Sequence, residues 1–420
     1  MPENVNITTL ASGLRIVTNE MASVETTSAG IWVDAGARFE APNVGGVSHV
    51  LEHMTFKGTK KRTAQSLAEE IENVGGHINA YTSRENTAYY AKTLKEDLGL
   101  AIDIVSDLVI NATLDNDEFE RERGVILQEI NQANDTPDDV VFDLFQLAAY
   151  PDQPLGRPVL GYFDGISAME RDALHGYMKN YYRSEAMVLA AAGKLKHDEV
   201  VAMAESHFAD TPLGKGPEHP PANYKGGELR ETRDIEQVHI VLGFEGINYH
   251  DDDYYAAGVL SGLFGGGMSS RLFQEVREKR GLVYSVYSFF SPYADSGLFG
   301  IYAGTGEKET AELIPVITDE LSKLNGLISS EEIIRAKAQI KSSMLMGLES
   351  TSSRAEQLAR QISVFGRHIP IEEALSKIEA VDEAAIRRVA KRFMASPPTL
   401  SAVGPIGKLE SFDKIKSRLG

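Results

Sequence analysis

The chain is 420 residues long, which is enough for two to four domains of about 100 to 200 residues each. It carries 42 basic and 61 acidic residues, and this charge of −19 argues against binding of nucleic-acid phosphates, whereas it allows a cationic partner or simply aids solubility. Cysteine is absent, so disulfides, thiolate ligands and a cysteine nucleophile are excluded, and any metal must be held by His, Asp or Glu.

The first half of the sequence alternates between strand and helix patterns. The patterns predict strands at 14–17 and 28–33, helices at 44–56 and 64–74, a hairpin of 78–82 and 87–93, further helices to about 178, and a strand at 186–192. This last run is far shorter than the roughly 18 apolar residues of a spanning helix. The amino-terminal segment resembles neither a secretion signal nor a transit peptide. We therefore expect no membrane span and a cytoplasmic location.

A linker is predicted near the middle of the chain. Residues 210–227 contain four prolines and four glycines and have neither helical nor strand periodicity. We place the linker at 214–227, which gives an amino-terminal domain at 1–213 and a carboxy-terminal domain at 228–420.

The order of the predicted elements repeats after the linker. Residues 81–83 have a counterpart in 287–289. The spacing from Glu118 to Arg121 recurs from Glu332 to Arg335. We therefore predict two domains of the same mixed type, with strands and helices in each. The strands follow one another too closely for a purely parallel sheet.

The most informative segment is the helix predicted around His49. On a helix, His49, Glu52 and His53 share one face, and apolar residues line the opposite one. Two histidines one turn apart can bind one Zn²⁺, and Glu52 can take a proton from a zinc-bound water. The alternative is a pair of solvated surface histidines. With 10 histidines in the chain, chance would give this pattern in very roughly one such protein in fifty.

A catalytic zinc needs a third protein ligand, either a histidine or a carboxylate. Residues 117–129 predict a helix with Asp117 as its N-cap and Glu120 completing a capping box. Glu122 and Glu129 lie two turns apart and share a face of this helix. Periodicity alone favours a solvated acidic exterior for that face.

The sequence around these residues resembles a known family. His49-x-x-Glu52-His53 matches the inverted zinc motif, and Glu129 stands 76 positions after His53. The flanking motifs are Gly45-Gly46-Val47-Ser48, Phe56-Lys57-Gly58-Thr59, Gly75-Gly76 and Asn79-Ala80-Tyr81-Thr82. Together they resemble the pitrilysin-type (inverzincin) zinc metallopeptidases, and in particular the mitochondrial-processing-peptidase branch, with this chain as a bacterial homologue.

The resemblance implies an α+β fold of two homologous domains, each a largely antiparallel sheet covered by helices. It implies a zinc-dependent endopeptidase with His49, His53 and Glu129 as metal ligands, Glu52 as the general base and Glu122 as a supporting carboxylate. The aligned positions of the second domain hold no ligand, being Ser261, Phe264, Gly265, Ala336 and Ser343. One Zn²⁺ per chain is therefore expected.

The resemblance also implies how a peptide is bound. Arg277 and Tyr284 would reach from the second domain to the peptide backbone and polarise carbonyl oxygens. The segment Asn79, Ala80, Tyr81 and Thr82 would bind the peptide as an added strand. The glycines at 265–267 could instead suggest a phosphate-binding loop, but the Lys-Ser/Thr ending of a P-loop is missing.

The family encloses its substrates in a chamber of four such domains, so a chain with two predicts a homodimer, with a paralogous heterodimer as the alternative. The acidic charge would attract basic, presequence-like peptides. Two alternatives from other classes are a non-cleaving peptide-binding or scaffold subunit and a zinc hydrolase with a non-peptide substrate. Mn²⁺ or Co²⁺ could also replace zinc.

Overall fold

A computed structural model describes residues 4–326 and 328–419. The elements up to the linker are β1 (Val5–Thr9), β2 (Arg15–Glu20), β3 (Thr26–Val33), α1 (Val47–Thr55), α2 (Ala64–Asn73), β4 (His77–Thr82), β5 (Thr87–Leu94), α3 (Leu98–Asn111), α4 (Asn116–Asn134), α5 (Pro137–Ala149), α6 (Phe163–Ala168), α7 (Arg171–Tyr181), β6 (Met187–Gly193) and α8 (His197–His207). Those after it are β7 (Gly227–Thr232), β8 (Val238–Glu245), α9 (Tyr254–Gly265), β9 (Val283–Pro292), β10 (Gly297–Thr305), α10 (Thr310–Lys323), α11 (Ser330–Gly347), α12 (Thr351–Phe365), α13 (Ile371–Glu379), α14 (Glu383–Met394), β11 (Thr399–Gly404) and α15 (Phe412–Leu419). Among the described residues, no helix has both the length and the apolar character needed to cross a membrane.

The strands form two sheets of closely related design. Within the described residues, one sheet has six strands in the order β1-β2-β6-β3-β5-β4, and the other has five in the order β7-β11-β8-β10-β9. In this part of the chain each sheet has one parallel pair, β2 with β6 and β7 with β11, and its other pairs are antiparallel. The predicted α+β fold with two largely antiparallel sheets covered by helices is confirmed.

Strand β6 lies in the interior of the six-stranded sheet and is buried on both faces. Met187 and Leu189 pack into the core that includes α1 and α3, whereas Val188 and Ala190 pack against α12 on the opposite face. A strand covered on both sides needs apolar residues at every position. This explains the continuous apolar run by which the strand was predicted.

The chain folds into two compact units, and neither is continuous in sequence. The first comprises Met1–Asn131, Arg157–Pro220 and Leu345–Pro370, and the second comprises Gln132–Gly156, Pro221–Met344 and Ile371–Gly420. The boundary at Pro220 and Pro221 falls within the linker predicted at 214–227. Helix α12 belongs to the first unit and helix α5 to the second, so each unit takes one helix from the other half of the sequence.

The exchanged helices cover the second face of each sheet. In α12 the buried residues recur at helical spacing, namely Ala355, Leu358, Ala359 and Ile362, and they pack against β2, β3, β5 and β6. In α5 Val141 and Phe145 pack against β8, β10 and β11. Each sheet is thereby enclosed between helices on both faces.

Two helices of the first unit carry the residues of the zinc motif. Helix α1 is anchored by apolar residues that are at most 1% exposed, namely Val47, Val50, Leu51 and Met54. Helix α4 begins at Asn116, because Asp115 Oδ1 accepts the N–H groups of Asp117 at 2.9 Å and Glu118 at 3.1 Å. The predicted N-cap at Asp117 is therefore wrong. Asp117 lies in the first turn, where a negative charge favours the helix dipole.

Candidate metal centre

Three potential ligand atoms meet where α1 faces α4. His49 and His53 lie one turn apart on α1, with ring centroids 4.6 Å apart, and Glu129 extends from α4. Glu129 Oε2 is 3.8 Å from His49 Nε2 and 3.5 Å from His53 Nε2. Within the described part of the chain, this is the group of His, Asp and Glu residues whose ligand atoms lie close enough, within 4.8 Å of one another, to hold a metal ion.

The distances and the unpaired atoms fit a zinc ion. Two ligands each about 2.1 Å from zinc at a tetrahedral angle lie about 3.4 Å apart, close to the separations between Glu129 and the two histidines. Glu129 Oε2 is buried and has no hydrogen-bond partner among the described residues. A buried carboxylate oxygen without a partner is costly unless a cation compensates it. The donor set of two imidazoles and a carboxylate is one that catalytic zinc sites use.

The imidazoles are kept in the form that binds metals. Burial, with a smaller contribution from the neighbouring His53, lowers the pKa of His49 to about 3. At neutral pH His49 is therefore uncharged, and its nitrogen lone pair is available to a metal.

Glu122 lies behind His53 and orients its ring. Glu122 Oε1 is 2.9 Å from His53 Nδ1, which directs His53 Nε2 toward Glu129. Lys57 Nζ binds the other oxygen of Glu122 at 2.6 Å, and the Glu122 side chain is only 7% exposed. A carboxylate on the far nitrogen of a ligating histidine fixes its tautomer and raises its basicity. Glu122 thus contacts the candidate centre through His53.

Glu52 is held beside the histidines by strand β4. Thr82 donates a hydrogen bond from its hydroxyl to Glu52 Oε2 at 2.6 Å. Burial raises the pKa of Glu52 above its usual value, against the effect of this bond. A carboxylate whose pKa is raised toward neutrality is better suited to take up and return a proton.

Strand β4, with Asn79, Ala80, Tyr81 and Thr82, is an edge strand. It pairs with β5 on one side, and among the described residues no strand pairs with its other side. Thr82 faces α1, whereas Tyr81 faces the opposite side, where its hydroxyl accepts a hydrogen bond from Trp32 Nε1 at 3.2 Å. Asn79 is exposed.

Arg277 and Tyr284 belong to the second unit. Arg277 lies in a π-helical turn at Phe273–Glu278, and Tyr284 follows at the start of β9. The guanidinium of Arg277 lies over the rings of Phe273 at 4.8 Å and Tyr284 at 5.3 Å. Tyr284 is 76% exposed. The structure thus pairs the two residues with each other.

Comparison with known proteins identifies the family. Residues 15–162 match the family model described as "Insulinase (Peptidase family M16)", and residues 168–340 match the one described as "Peptidase M16 inactive domain". A protein of Rickettsia bellii named "Uncharacterized zinc protease" is 40% identical over 406 residues, which cover 96% of this chain and 98% of the relative. The chain belongs to peptidase family M16. The resemblance inferred from the zinc motif is confirmed.

Other M16 relatives extend the similarity. The human protein named "Mitochondrial-processing peptidase subunit beta" is 38% identical over 433 residues, covering 100% of this chain and 88% of the relative. The crystal structure of a protease from Helicobacter pylori has a TM-score of 0.90 at 24% identity and covers 96% of this chain and 100% of that one. The match to the Helicobacter pylori structure shows that this chain and that protease share one fold.

The contacts that three residues make around the candidate centre were not predicted from the sequence. Thr82 was predicted as part of the peptide-binding strand, and its hydroxyl also holds Glu52. Lys57 was noted only as part of a flanking motif. Glu40, which binds the start of α1, was not singled out. No periodicity marks these residues, because each depends on contacts between separate elements.

Proposed function

We propose that this M16 chain is a zinc-dependent metalloendopeptidase that hydrolyses peptides bound in extended form. The observation that carries the proposal is the convergence of His49, His53 and Glu129 with Glu52 beside them. Such a set supplies three ligands and leaves a fourth position for substrate or water. The names of the relatives, which include zinc proteases and a processing-peptidase subunit, support the same reaction.

The chain's own residues have distinct tasks in this reaction. Bound zinc would supply Lewis-acid chemistry, polarising the scissile carbonyl and making water a stronger acid. Glu52 accepts the proton that the attacking water loses and returns it to the leaving nitrogen. Thr82 holds Glu52 Oε2, which leaves Oε1 for the proton. Glu122 keeps the ring of His53 in place.

The substrate is proposed to bind along the free edge of β4. A peptide added there as a further strand receives main-chain hydrogen bonds, and its alternate side chains meet opposite faces of the sheet. The edge position of β4 and the link from Thr82 to Glu52 support this placement. Arg277 and Tyr284 are proposed to bind the peptide backbone, and the exposure of Tyr284 leaves its hydroxyl available.

Replacement of the general base tests the proposal. Zinc content and cleavage of a mixed peptide library are compared for wild type, Glu52→Gln and Glu72→Gln, the last an exposed carboxylate on α2. We expect one zinc per chain in all three proteins and cleavage reduced by about a hundredfold to ten-thousandfold only in Glu52→Gln. A chelator should abolish cleavage, and added Zn²⁺ should restore it.

Two outcomes would contradict this expectation. If the wild-type protein binds zinc tightly but cleaves no peptide, the result would favour a non-cleaving peptide-binding or scaffold subunit. Equal cleavage by wild type and Glu52→Gln would remove Glu52 as the base.

The assembly and the substrate charge are also proposals. A homodimer is favoured because one chain carries both the metal centre and the pair Arg277 and Tyr284; a solution mass of one chain would contradict it. Basic peptides are proposed because the chain has a net charge of −19. Cleavage of a basic peptide should then fall with added salt more than cleavage of a matched acidic one. The cytoplasmic location stays a prediction.

A further inference from the structure

Helix α1, which carries both histidines, begins without a capping side chain of its own. Its N-cap is Gly46, at a φ of +91°, and no side chain at that position accepts a hydrogen bond. The first N–H groups of a helix have no partner within it and need acceptors from elsewhere.

The carboxylate of Glu40 supplies these acceptors. Its Oε2 accepts the N–H of Gly46 at 2.7 Å, and its Oε1 accepts the N–H of Ser48 at 2.9 Å and the hydroxyl of Ser48 at 2.5 Å. A negative charge at this end of a helix is also favoured by the helix dipole. One side chain from outside the helix therefore binds the N–H groups of Gly46 and Ser48 at its start.

Glu40 is itself held firmly. It is 3% exposed, and its carbonyl oxygen accepts a hydrogen bond from the guanidinium of Arg157. The carbonyl oxygen of the residue before it, Phe39, accepts the hydroxyl of Tyr181 at 2.9 Å. A carboxylate fixed on such a segment can hold the start of the bound helix in one position.

The other side of the first turn is closely packed. A Cβ atom at Gly46 would lie 2.7 Å from Ile166 Cδ1 and 2.8 Å from the carbonyl oxygen of Leu160. The turn is therefore confined between this contact and the Glu40 carboxylate, which leaves it little freedom to shift.

We propose that Glu40 is a positioning residue of the metal centre, which fixes the first turn of α1 and thereby places His49 opposite Glu129. Ser48 directly precedes His49, so a shift of the backbone in the first turn would displace His49 before His53. Metal sites need their ligands held to within about 0.5 Å. The inference rests on the proposed zinc site and adds a residue that acts on it without touching the metal.

The apolar side of α1 allows this role to be separated from folding. Val47, Leu51 and Met54 are fully buried and attach the helix to the core independently of Glu40. Loss of the Glu40 carboxylate should therefore leave α1 docked while its first turn gains freedom. We expect the metal affinity to suffer more than the stability of the metal-free protein.

The test is a titration of metal-free protein with Zn²⁺ against a chromophoric chelator. It is made at pH 8, because burial raises the pKa of Glu40 to about 7 and the carboxylate should be ionised. Glu40→Gln is compared with Asp107→Asn. Asp107 is a matched control, since it is 1% exposed and accepts hydrogen bonds from the side chains of Thr59, Arg62 and Asn111.

We expect Glu40→Gln to weaken zinc binding by about tenfold to a hundredfold, as substitutions behind a ligand do, and Asp107→Asn to leave it within about twofold. The melting temperatures of the two metal-free variants should fall by similar amounts. Ser48→Ala removes the hydroxyl bond alone and should weaken binding by about threefold. This variant carries the test if Glu40→Gln does not fold.

Three results would overturn the inference. Wild-type zinc affinity in both Glu40→Gln and Ser48→Ala would remove the positioning role alone. An equal loss of affinity in Asp107→Asn would assign the effect to general destabilisation. Failure of wild type to bind zinc would instead remove the proposed metal centre itself, so the two failures are distinguishable.

Discussion

The two units differ in the contact between an aligned helix and edge strand. In the first unit α1 lies against the edge strand β4, and the Thr82 hydroxyl reaches the Glu52 carboxylate between them. In the second unit α9 lies against the edge strand β9, where Ser288, aligned with Thr82, donates its hydroxyl to the carbonyl oxygen of Ser261 at 2.7 Å. The Glu52 side chain links helix and strand in the first unit, whereas a main-chain oxygen of the helix contacts the strand in the second.

Small residues allow this close contact in the second unit. A Cβ atom at Gly265, which aligns with His53, would lie 2.3 Å from the backbone nitrogen of Ser288. On α11, the position aligned with Glu122 is Ala336, which is buried. The sheet and its helices therefore form without the ligand residues. The fold provides the frame, and the side chains on α1 and α4 form the candidate metal centre.

The strongest test of this difference removes one ligand from the first unit. Glu129→Ala should reduce the zinc content from about one to about zero per chain, because two histidines alone make a weak site. The control is Ser343→Ala, the aligned and exposed position on α11. Metal analysis after dialysis gives both values. A full complement of zinc in Glu129→Ala would mean that the ligands lie elsewhere.

A second test adds a side chain to the close contact of the second unit. Gly265→Ala places a methyl group against the Ser288 backbone, and we expect the free energy of unfolding to fall by about 1 to 3 kcal/mol, as in other overpacked cores. Urea unfolding with a check for intermediates measures the change. Unchanged stability would show that β9 can move away from α9 at little cost.

A third test compares the aligned hydroxyls. Thr82→Val removes the bond to Glu52 and should lower kcat by about tenfold to a hundredfold, since a hydrogen bond to a charged group contributes about 1.5 to 3 kcal/mol. Zinc content should stay at one per chain. Ser288→Ala in the second unit should leave kcat unchanged. A similar loss of activity in both variants would instead indicate a general effect on stability.

The sequence predicted the helices and strands that follow a local pattern of apolar and polar residues. The spacing of His49, Glu52 and His53 predicted a helix with apolar residues on its other side, and α1 has this form. The hairpin of β4 and β5 and the buried strand β6 were predicted in the same way. The exchange of α5 and α12 was not, because the periodicity of a helix shows that one face is buried but not which sheet buries it.

The site was predicted only where a motif identifies its residues. His49 and His53 were singled out from their spacing, but Glu129 needed the resemblance to a family, because it lies on a different helix, α4. The cap of α4 at Asp115 was missed for a different reason. Several acidic residues near the start of α4 can each serve as a cap, and composition does not decide among them.

The smallest expected effect concerns a pair of aligned glycines. Gly46 precedes α1 at a positive φ and is closely packed, whereas Gly258 lies inside α9, where an added Cβ atom would meet no atom of another element within 4 Å. Alanine favours a helix interior over glycine, so Gly258→Ala should raise the free energy of unfolding by about 0.5 to 1 kcal/mol.

Gly46→Ala should lower that free energy, since an L-residue at this φ is strained and its methyl group would meet Ile166. Urea unfolding of the two variants side by side measures both signs. Stabilisation by both substitutions would mean that the first turn of α1 is not confined at Gly46. Opposite signs would place the constraint at the start of α1, the helix that carries His49 and His53.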